Sequence, residues 1–459
     1  MKTLLRKRAM GGRNRLAIML SLIMLLGMSM LSSCSKSKSG DGSDLLKSVP
    51  SDAGMVIMAD VNSLLEKTGS KPGDGGEVKL SSELSSAINA VKTPSLRDNM
   101  RAVLTGDAGV AHTNAILFTE GEDTYITFMI DDPDRFRSFA EKSTSEKFQS
   151  AGTVDVCGNI AMVGNQGWMR VANTAEINGA DILKFSKLSE SQSFLSRDIA
   201  TKILESDKDV VAWVDIYAAL NASGQNPMTR LAISSLFDDA AYYWGETSFD
   251  KGKVVSNGTV LNSKGETAKC NLPTSKIDVK TVQGLGEEAN ADFIAAVAVS
   301  PALVKQLEKL AATFSGGIAA QYSSMLKPLD GTSAVAASDC QANGGLEMVV
   351  TVNDAPVGDL TTFLNTLGTV KRDGKYLRVS TGEAKGNLKV ADVAKEFSGC
   401  WLGFACDPNA LSNQEGFNGV FTQLLVTFKP SDGGLALDVT LFTEGKANAL
   451  VSLLEAAAK

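Results

Sequence analysis

One histidine, His112, stands in 459 residues. A Ser-His-Asp or Cys-His arrangement would have to run through it. It lies in Gly109-Val110-Ala111-His112-Thr113-Asn114, with no nucleophile elbow and no zinc motif nearby. A histidine-rich metal site is therefore excluded, and the local pattern reads as a surface histidine at a strand end. Aromatics are scarce, at 6% of the chain. Trp168, Trp213 and Trp401 fall in apolar strand patterns, which leaves Tyr242-Tyr243-Trp244 as the one cluster that would stack on a ligand, and strand core is its commoner role. No P-loop, no dinucleotide fingerprint after a strand and no CxxC occurs, so no cofactor is implied. Cysteines number six. Cys400 and Cys406 flank the apolar run Trp401 to Ala405; as a strand this would hold them roughly 20 Å apart, beyond the ~7 Å Cα limit of a disulfide. Cys157, Cys270, Cys340, Cys400 and Cys406 read as buried small hydrophobes rather than a disulfide framework.

Long apolar runs are missing too, except one near the start. Basic residues Lys2, Arg6, Lys7, Arg8, Arg13 and Arg15 precede an apolar and small-residue stretch from Leu16 to Leu31, and Leu31-Ser32-Ser33-Cys34 follows as a lipobox. That order is a secretory signal peptide, residues 1–33. The stretch is short for a membrane span of about 20 apolar residues and is interrupted by Gly27 and serines. Cys34 resembles the acceptor of bacterial lipoproteins, where cleavage exposes an amine and a thiol for acyl chains. The expected partner is thus a membrane, reached through lipid on Cys34. Removal of the signal takes away six bases and no acid, leaving 39 basic against 52 acidic residues, near −13. Such a surface argues against nucleic acid and anionic headgroups.

Ser35 to Asp44 is polar, so residues 34–48 are expected to be the lipidated cysteine and a flexible tether, with folded structure from near Pro50. Internal repetition then dominates. Met55 to Leu65 matches Ile294 to Val304, Tyr125 to Pro133 matches Glu347 to Pro356, and Gly167 to Val171 matches Lys375 to Val379. Val211 to Ile216 matches Leu402 to Asp407, and Thr247 through Glu266 echoes Thr427 through Lys446. Five matches in one order predict two homologous domains, 49–285 and 286–459. Alternating strands, Gly-containing turns and amphipathic helices (Leu303, Leu307, Leu310 and Ala311 inward) predict an α+β class. Each domain would carry repeated strand-helix-strand-strand units, with helices on one face of its own antiparallel or mixed sheet, and equivalent strand order in both.

Asp60, Asp132, Asp215, Asp407 and Ser300 each sit where a strand ends and a helix begins. Pro133, Pro301 and Pro408 follow, at the first helical position, where a missing N–H costs nothing. Recurrence at equivalent points of a repeat is what helix capping predicts. Asp131-Asp132 with Asp134, and Asp238-Asp239, lack the loop spacing of a calcium site; glycosidase chemistry through such pairs stays open. No catalytic, cofactor-binding or metal-ligating residue is assigned.

Ser48-Val49-Pro50-Ser51-Asp52-Ala53, Val56 to Leu65 and Lys67-Thr68-Gly69 resemble the opening of large lipoproteins of gut-dwelling Gram-negative anaerobes. That family, known as a numbered domain of unknown function, opens with a lipobox, a Val-Pro-x-Asp-Ala phrase, a strand and a Ser-Leu-Leu-x-Lys helix. The resemblance implies an envelope location and brings no catalytic residues. Surface export in that group resembles a cue of acidic residues just after the cysteine. Here Lys36 and Lys38 come first and Asp41 and Asp44 are scattered, which favours the periplasmic face of the outer membrane. The expectation is a lipid-anchored, non-enzymatic binding or scaffolding protein. Two alternatives are a carboxylate-based hydrolase of envelope or dietary glycan and an adhesion or assembly component that binds protein.

Overall fold

In a computed structural model the described residues are 40–72, 77–171, 176–222, 227–286, 288–315, 319–338, 344–411, 421–445 and 447–458. The signal segment, Cys34 and Cys340 lie outside them. The first half contributes β1 (Met55–Asp60), a short ladder of β2 (Lys71–Pro72) and β3 (Val78–Lys79), then β4 (Val110–Glu120) and β5 (Asp123–Ile130). It continues through β6 (Gln149–Ala151), β7 (Val154–Cys157), β8 (Ile160–Val163), β9 (Gln166–Arg170), β10 (Val210–Asp215), β11 (Ala240–Asp250) and β12 (Lys253–Asn262). The second half contributes β13 (Asn290–Ala291), β14 (Phe293–Val299), β15 (Leu329–Ala337), β16 (Leu346–Val352), β17 (Thr369–Asp373) and β18 (Tyr376–Ser380). After these come β19 (Leu388–Lys389), which pairs with β13, then β20 (Leu402–Cys406), β21 (Phe421–Ser431) and β22 (Gly434–Thr443).

Antiparallel pairing orders the first half β6-β7-β8-β9-β5-β4-β1-β10, and the sheet order continues through β11 and β12. The second half runs β17-β18-β16-β15-β14-β20-β21-β22. From β8 onward the two series coincide strand for strand, and the class is α+β. Even an irregularity recurs: β4 slips register against β5 between Val110 and Ala115, and β15 slips against β16 between Leu329 and Ser333.

Two expectations about the halves need correction. The halves do not close separate sheets, because β12 pairs with β22, from Lys253↔Phe442 to Thr259↔Ala436. Each half ends on a long hairpin whose outer strand would present an open edge, and pairing the two edges satisfies both. For the same reason the compact units do not divide at residue 285. Among the described residues one unit comprises 40–222, 246–250 and 450–458; the other comprises 227–245 and 251–449.

Local chemistry explains most elements. The β21–β22 hairpin closes at Ser431↔Gly434 with Asp432 and Gly433 at φ 47° and 78°, the two left-handed residues that a type I′ turn requires. In the first unit Phe136, on the helix Pro133–Thr144, packs with Phe128, Ile126 and Met169. In the second, Val349 is buried with Val282 and Val393 of the helices Val279–Gln283 and Val390–Glu396. Its neighbour Val350, which points to the opposite face, is buried with Leu360 and Leu364 of the helix Gly358–Leu364. Helices therefore cover both faces at β16, where the sequence placed them on one.

Two further expectations fail for tertiary reasons. Residues 40–47, inside the expected tether, form a helix, because Leu45 and Leu46 are fully buried and Gly42 lies against Leu204 and Met58. On the helix Pro301–Ser315, Leu303 and Val304 are buried but Leu307 is 39% exposed, so the inward stripe does not extend to Leu307.

Candidate functional site

Most of the polar residues singled out in the sequence are engaged by the fold. Asp60 accepts the N–H of Ser63 at 2.9 Å, and Asp132 those of Asp134 and Arg135 at 3.1 and 3.0 Å. Asp215 accepts from Ala218 at 2.8 Å, Ser300 from Leu303 at 3.2 Å and Asp407 from Asn409 at 2.8 Å. All five are helix caps, satisfying donors that the helix itself cannot. Asp238 accepts from Asn271 at 2.7 Å and Asp239 from the Ser263 hydroxyl at 2.5 Å. No group of three or more His, Cys, Asp or Glu able to hold a metal ion occurs among the described residues. Trp244 is buried and the Tyr243 ring lies over Gly245 and Gly258, which makes that aromatic cluster strand packing. Cys157, Cys270, Cys400 and Cys406 are not in disulfides, and burial pushes the thiols of Cys157, Cys270 and Cys400 up, away from thiolate reactivity.

His112 is not at the surface. It is buried in the irregular stretch of β4, with Nε2 2.6 Å from the Val103 carbonyl. A carbonyl only accepts, so Nε2 carries the proton and donates. Nδ1 has no partner, and burial holds the ring well below the ordinary histidine range. The unfolded chain therefore takes up a proton below pH ~6.5 that the folded chain refuses, and stability falls as pH drops through that value. Between pH 7 and pH 5 the loss from this group is at most about 2 kcal/mol, the limit set by protonation of the unfolded chain alone. Urea titrations at the two pH values will show it, and His112→Phe will lack that increment.

The open polar site lies on the second unit, at the β16–β18–β17 edge. Register sets Glu347 opposite Ser380 and Ser380 opposite Thr369; two residues along, Val349, Arg378 and Lys371 form the next row. Residues opposed or two apart share a face, so Glu347, Arg378, Lys371, Ser380 and Thr369 line one side. With Gly284–Gly286 they bound a groove of about 620 Å³. Arg378 Nη1 donates to the Gly284 carbonyl at 2.7 Å, and its Nε stands 3.7 Å from Asp373. Burial, with Glu383 nearby, pushes the Glu347 carboxyl up, and Arg378 opposes the shift.

The matching strand order of the two halves shows why this groove is open. Tyr125 is the counterpart of Glu347 in the first half, and there Phe185 of the helix Gly179–Phe185 packs edge-on against it at 5.1 Å. Phe118, opposite Tyr125 on β4, completes that cluster. The second half passes from β18 to β20 through a shorter segment; among the described residues its one helix is Val390–Glu396, and none lies between β18 and β19. Sequence reasoning quoted Arg378 only as part of a matched strand. The available signal was Lys371, Arg372, Lys375 and Arg378 against Asp373 alone within twelve residues of an acidic chain.

No protein-family model and no curated protein matches the chain. Two solved structures, crystal forms I and III of TP0453, are similar to it at 8% and 9% identity, each over 76% of this chain and over 95% and 96% of the other. Their TM-scores of 0.28 and 0.23 are too low for any inference about this chain.

Proposed function

We propose that the chain is a lipid-anchored protein of the outer membrane, on its periplasmic face, and that it binds or scaffolds rather than catalyses. The lipobox ending at Cys34 supports the anchor, and several acyl chains hold a protein stably where one does so only reversibly. The capping geometry carries the non-catalytic reading. The recurrent carboxylates that a dispersed acid–base site would need already accept helix N–H groups, and the one histidine already donates to a backbone carbonyl. No helix among the described residues is long and apolar enough to cross a membrane. Cys34→Ala is expected to abolish acyl labelling and leave an uncleaved or soluble precursor. A cleaved variant that still partitions fully with membranes would sink the anchor.

A second reading, a carboxylate hydrolase of envelope or dietary glycan, draws on the raised Glu347 carboxyl beside Glu383 in the open groove. Incubation of the mature chain with peptidoglycan and a panel of polysaccharides separates the two. The binding reading expects no bond cleavage. Cleavage that survives His112→Ala and disappears in Glu347→Gln would establish the hydrolase.

A further inference from the structure

We propose that the outer edge of β17 is a docking site where an acidic, extended segment of a partner protein adds as an antiparallel strand. This rests on the binding reading above and names its partner class and place.

The first half shows what this position accommodates. Its hairpin β8–β9 closes at Val163↔Gln166 around Gly164, at φ 57°. The hairpin β17–β18 closes at Asp373↔Tyr376 around Gly374, at φ 59°. Counting back from the turns makes Met162 the counterpart of Arg372, Ala161 of Lys371 and Ile160 of Val370. In the first half that edge is occupied: β7 pairs along it, Cys157↔Ile160, Val156↔Ala161 and Asp155↔Met162. Nothing among the described residues pairs with the corresponding edge of β17.

The backbone is suitably presented. The closing pair of a two-residue hairpin exchanges both its hydrogen bonds, and alternate residues then turn their N–H and C=O groups outward. Those residues are Val370 and Arg372, the counterparts of the two whose backbone groups face β7. Unpaired edges of this kind template strand addition.

Charge names the occupant. Ile160, Ala161 and Met162 are buried, whereas Lys371, Arg372, Lys375 and Arg378 are exposed with Asp373 as the one acid between them. The whole chain carries −7, so this basic hairpin stands against its surroundings. Alternate side chains of an added strand would enter the groove beside Lys371 and Arg378. An anionic membrane would be drawn by the same charge, but it has no use for the outward backbone groups, which favours a polypeptide.

The test uses the mature chain and a fluorescein-labelled ten-residue peptide of alternating Glu and Val, with a Lys-Val peptide as control. Saturable binding of the Glu-Val peptide alone is expected, with Val370 and Arg372 amides protected from hydrogen exchange in the complex. The double variant Lys371→Glu, Arg372→Glu should weaken it by about tenfold or more. Val370→Pro removes one outward donor and keeps every charge, and Val370→Ala, which also loses the packing of Val370 on its core cluster but keeps the donor, is its control; the proline variant should bind more weakly than the alanine variant. Equal binding by the two would mean attraction without strand addition and overturn the proposal. So would binding to vesicles of phosphatidylglycerol with none to the peptide, or an unaltered affinity in the charge-reversed variant. Such failures leave the glycan assay untouched, whereas glycan cleavage would overturn the binding reading itself.

Discussion

Asp209→Ala is expected to cost about 3–5 kcal/mol of folding stability, the range for breaking a buried ion pair. The Asp209 side chain is completely buried and accepts three hydrogen bonds: from the Ser63 hydroxyl at 2.7 Å, Lys67 Nζ at 2.8 Å and the Phe249 N–H at 2.6 Å. Its backbone carbonyl also accepts from Asp60 N at 2.8 Å, tying β10's approach to the end of β1. Ser63 and Lys67 lie four residues apart on the helix Val61–Lys67, so both reach one carboxylate. Burial works against the Lys67 charge, but the hydrogen bond and attraction of Asp209, helped by Asp250 at 3.4 Å, prevail and raise its pKa. That contribution is complete below the ordinary lysine range and fades as pH climbs through the raised value. With Asp209 gone, the Phe249 N–H is buried without its acceptor and Lys67 keeps only the more distant Asp250. Lys67→Met alone should be comparably costly, since it strands a buried carboxylate. The double variant Asp209→Ala, Lys67→Met should recover part of the loss, because a buried pair replaced by apolar groups is often near neutral. Guanidinium melts of the four proteins give the coupling energy, and a coupling near zero would show that the knot does not hold the first unit together.

This knot gives physical content to the Ser-Leu-Leu-x-Lys phrase: Leu64 and Leu65 are buried while Ser63 and Lys67 hold Asp209. The phrase was legible, but its partner lies 142 residues away from Lys67 and no local pattern marks it. The Val-Pro opening behaves alike, with the Val49 carbonyl accepting from Phe194 N at 2.7 Å and Pro50 bridging Ser193. The five matched segments were legible because buried strands, glycine turns and capping residues are written locally, and each match falls on equivalent strands. What misled were tertiary effects. Gly40-Asp41-Gly42-Ser43-Asp44 has the composition of a tether, yet burial of Leu45 and Leu46 overrides it. His112 reads as a polar strand end because the register slip that buries it is set by packing, not by sequence period. The groove at Glu347 was hidden for a related reason. The four cations of its β17–β18 hairpin can be counted, but their exposure goes with the lack, among the described residues of the second half, of counterparts to β7 and the helix Gly179–Phe185, and that is a property of topology.

Gly109→Ala is expected to cost about 3 kcal/mol, from roughly 1–2 for a left-handed backbone and roughly 1–3 for overpacking. Gly109 sits at φ 67°, and its carbonyl accepts the N–H groups of Asp131 and Asp132 at 3.0 and 3.2 Å. A Cβ there would press into the Asp132 carbonyl oxygen and stand 2.8 Å from Phe136 N, inside the first turn that Asp132 caps. Relief would move the start of that helix, which carries the buried Phe136 into the core. The second half keeps the bond without the glycine, since Asn353 N donates to the Pro328 carbonyl at 2.8 Å. The constraint at 109 is therefore the close approach of the helix Pro133–Thr144 and not the turn alone. Gly121→Ala separates the two contributions: φ is 58° there, but nothing lies within 4 Å of the added Cβ, so about 1 kcal/mol is expected. Denaturant midpoints of the two variants side by side measure the difference. Equal losses would reduce Gly109 to backbone conformation and leave the helix approach without energetic weight.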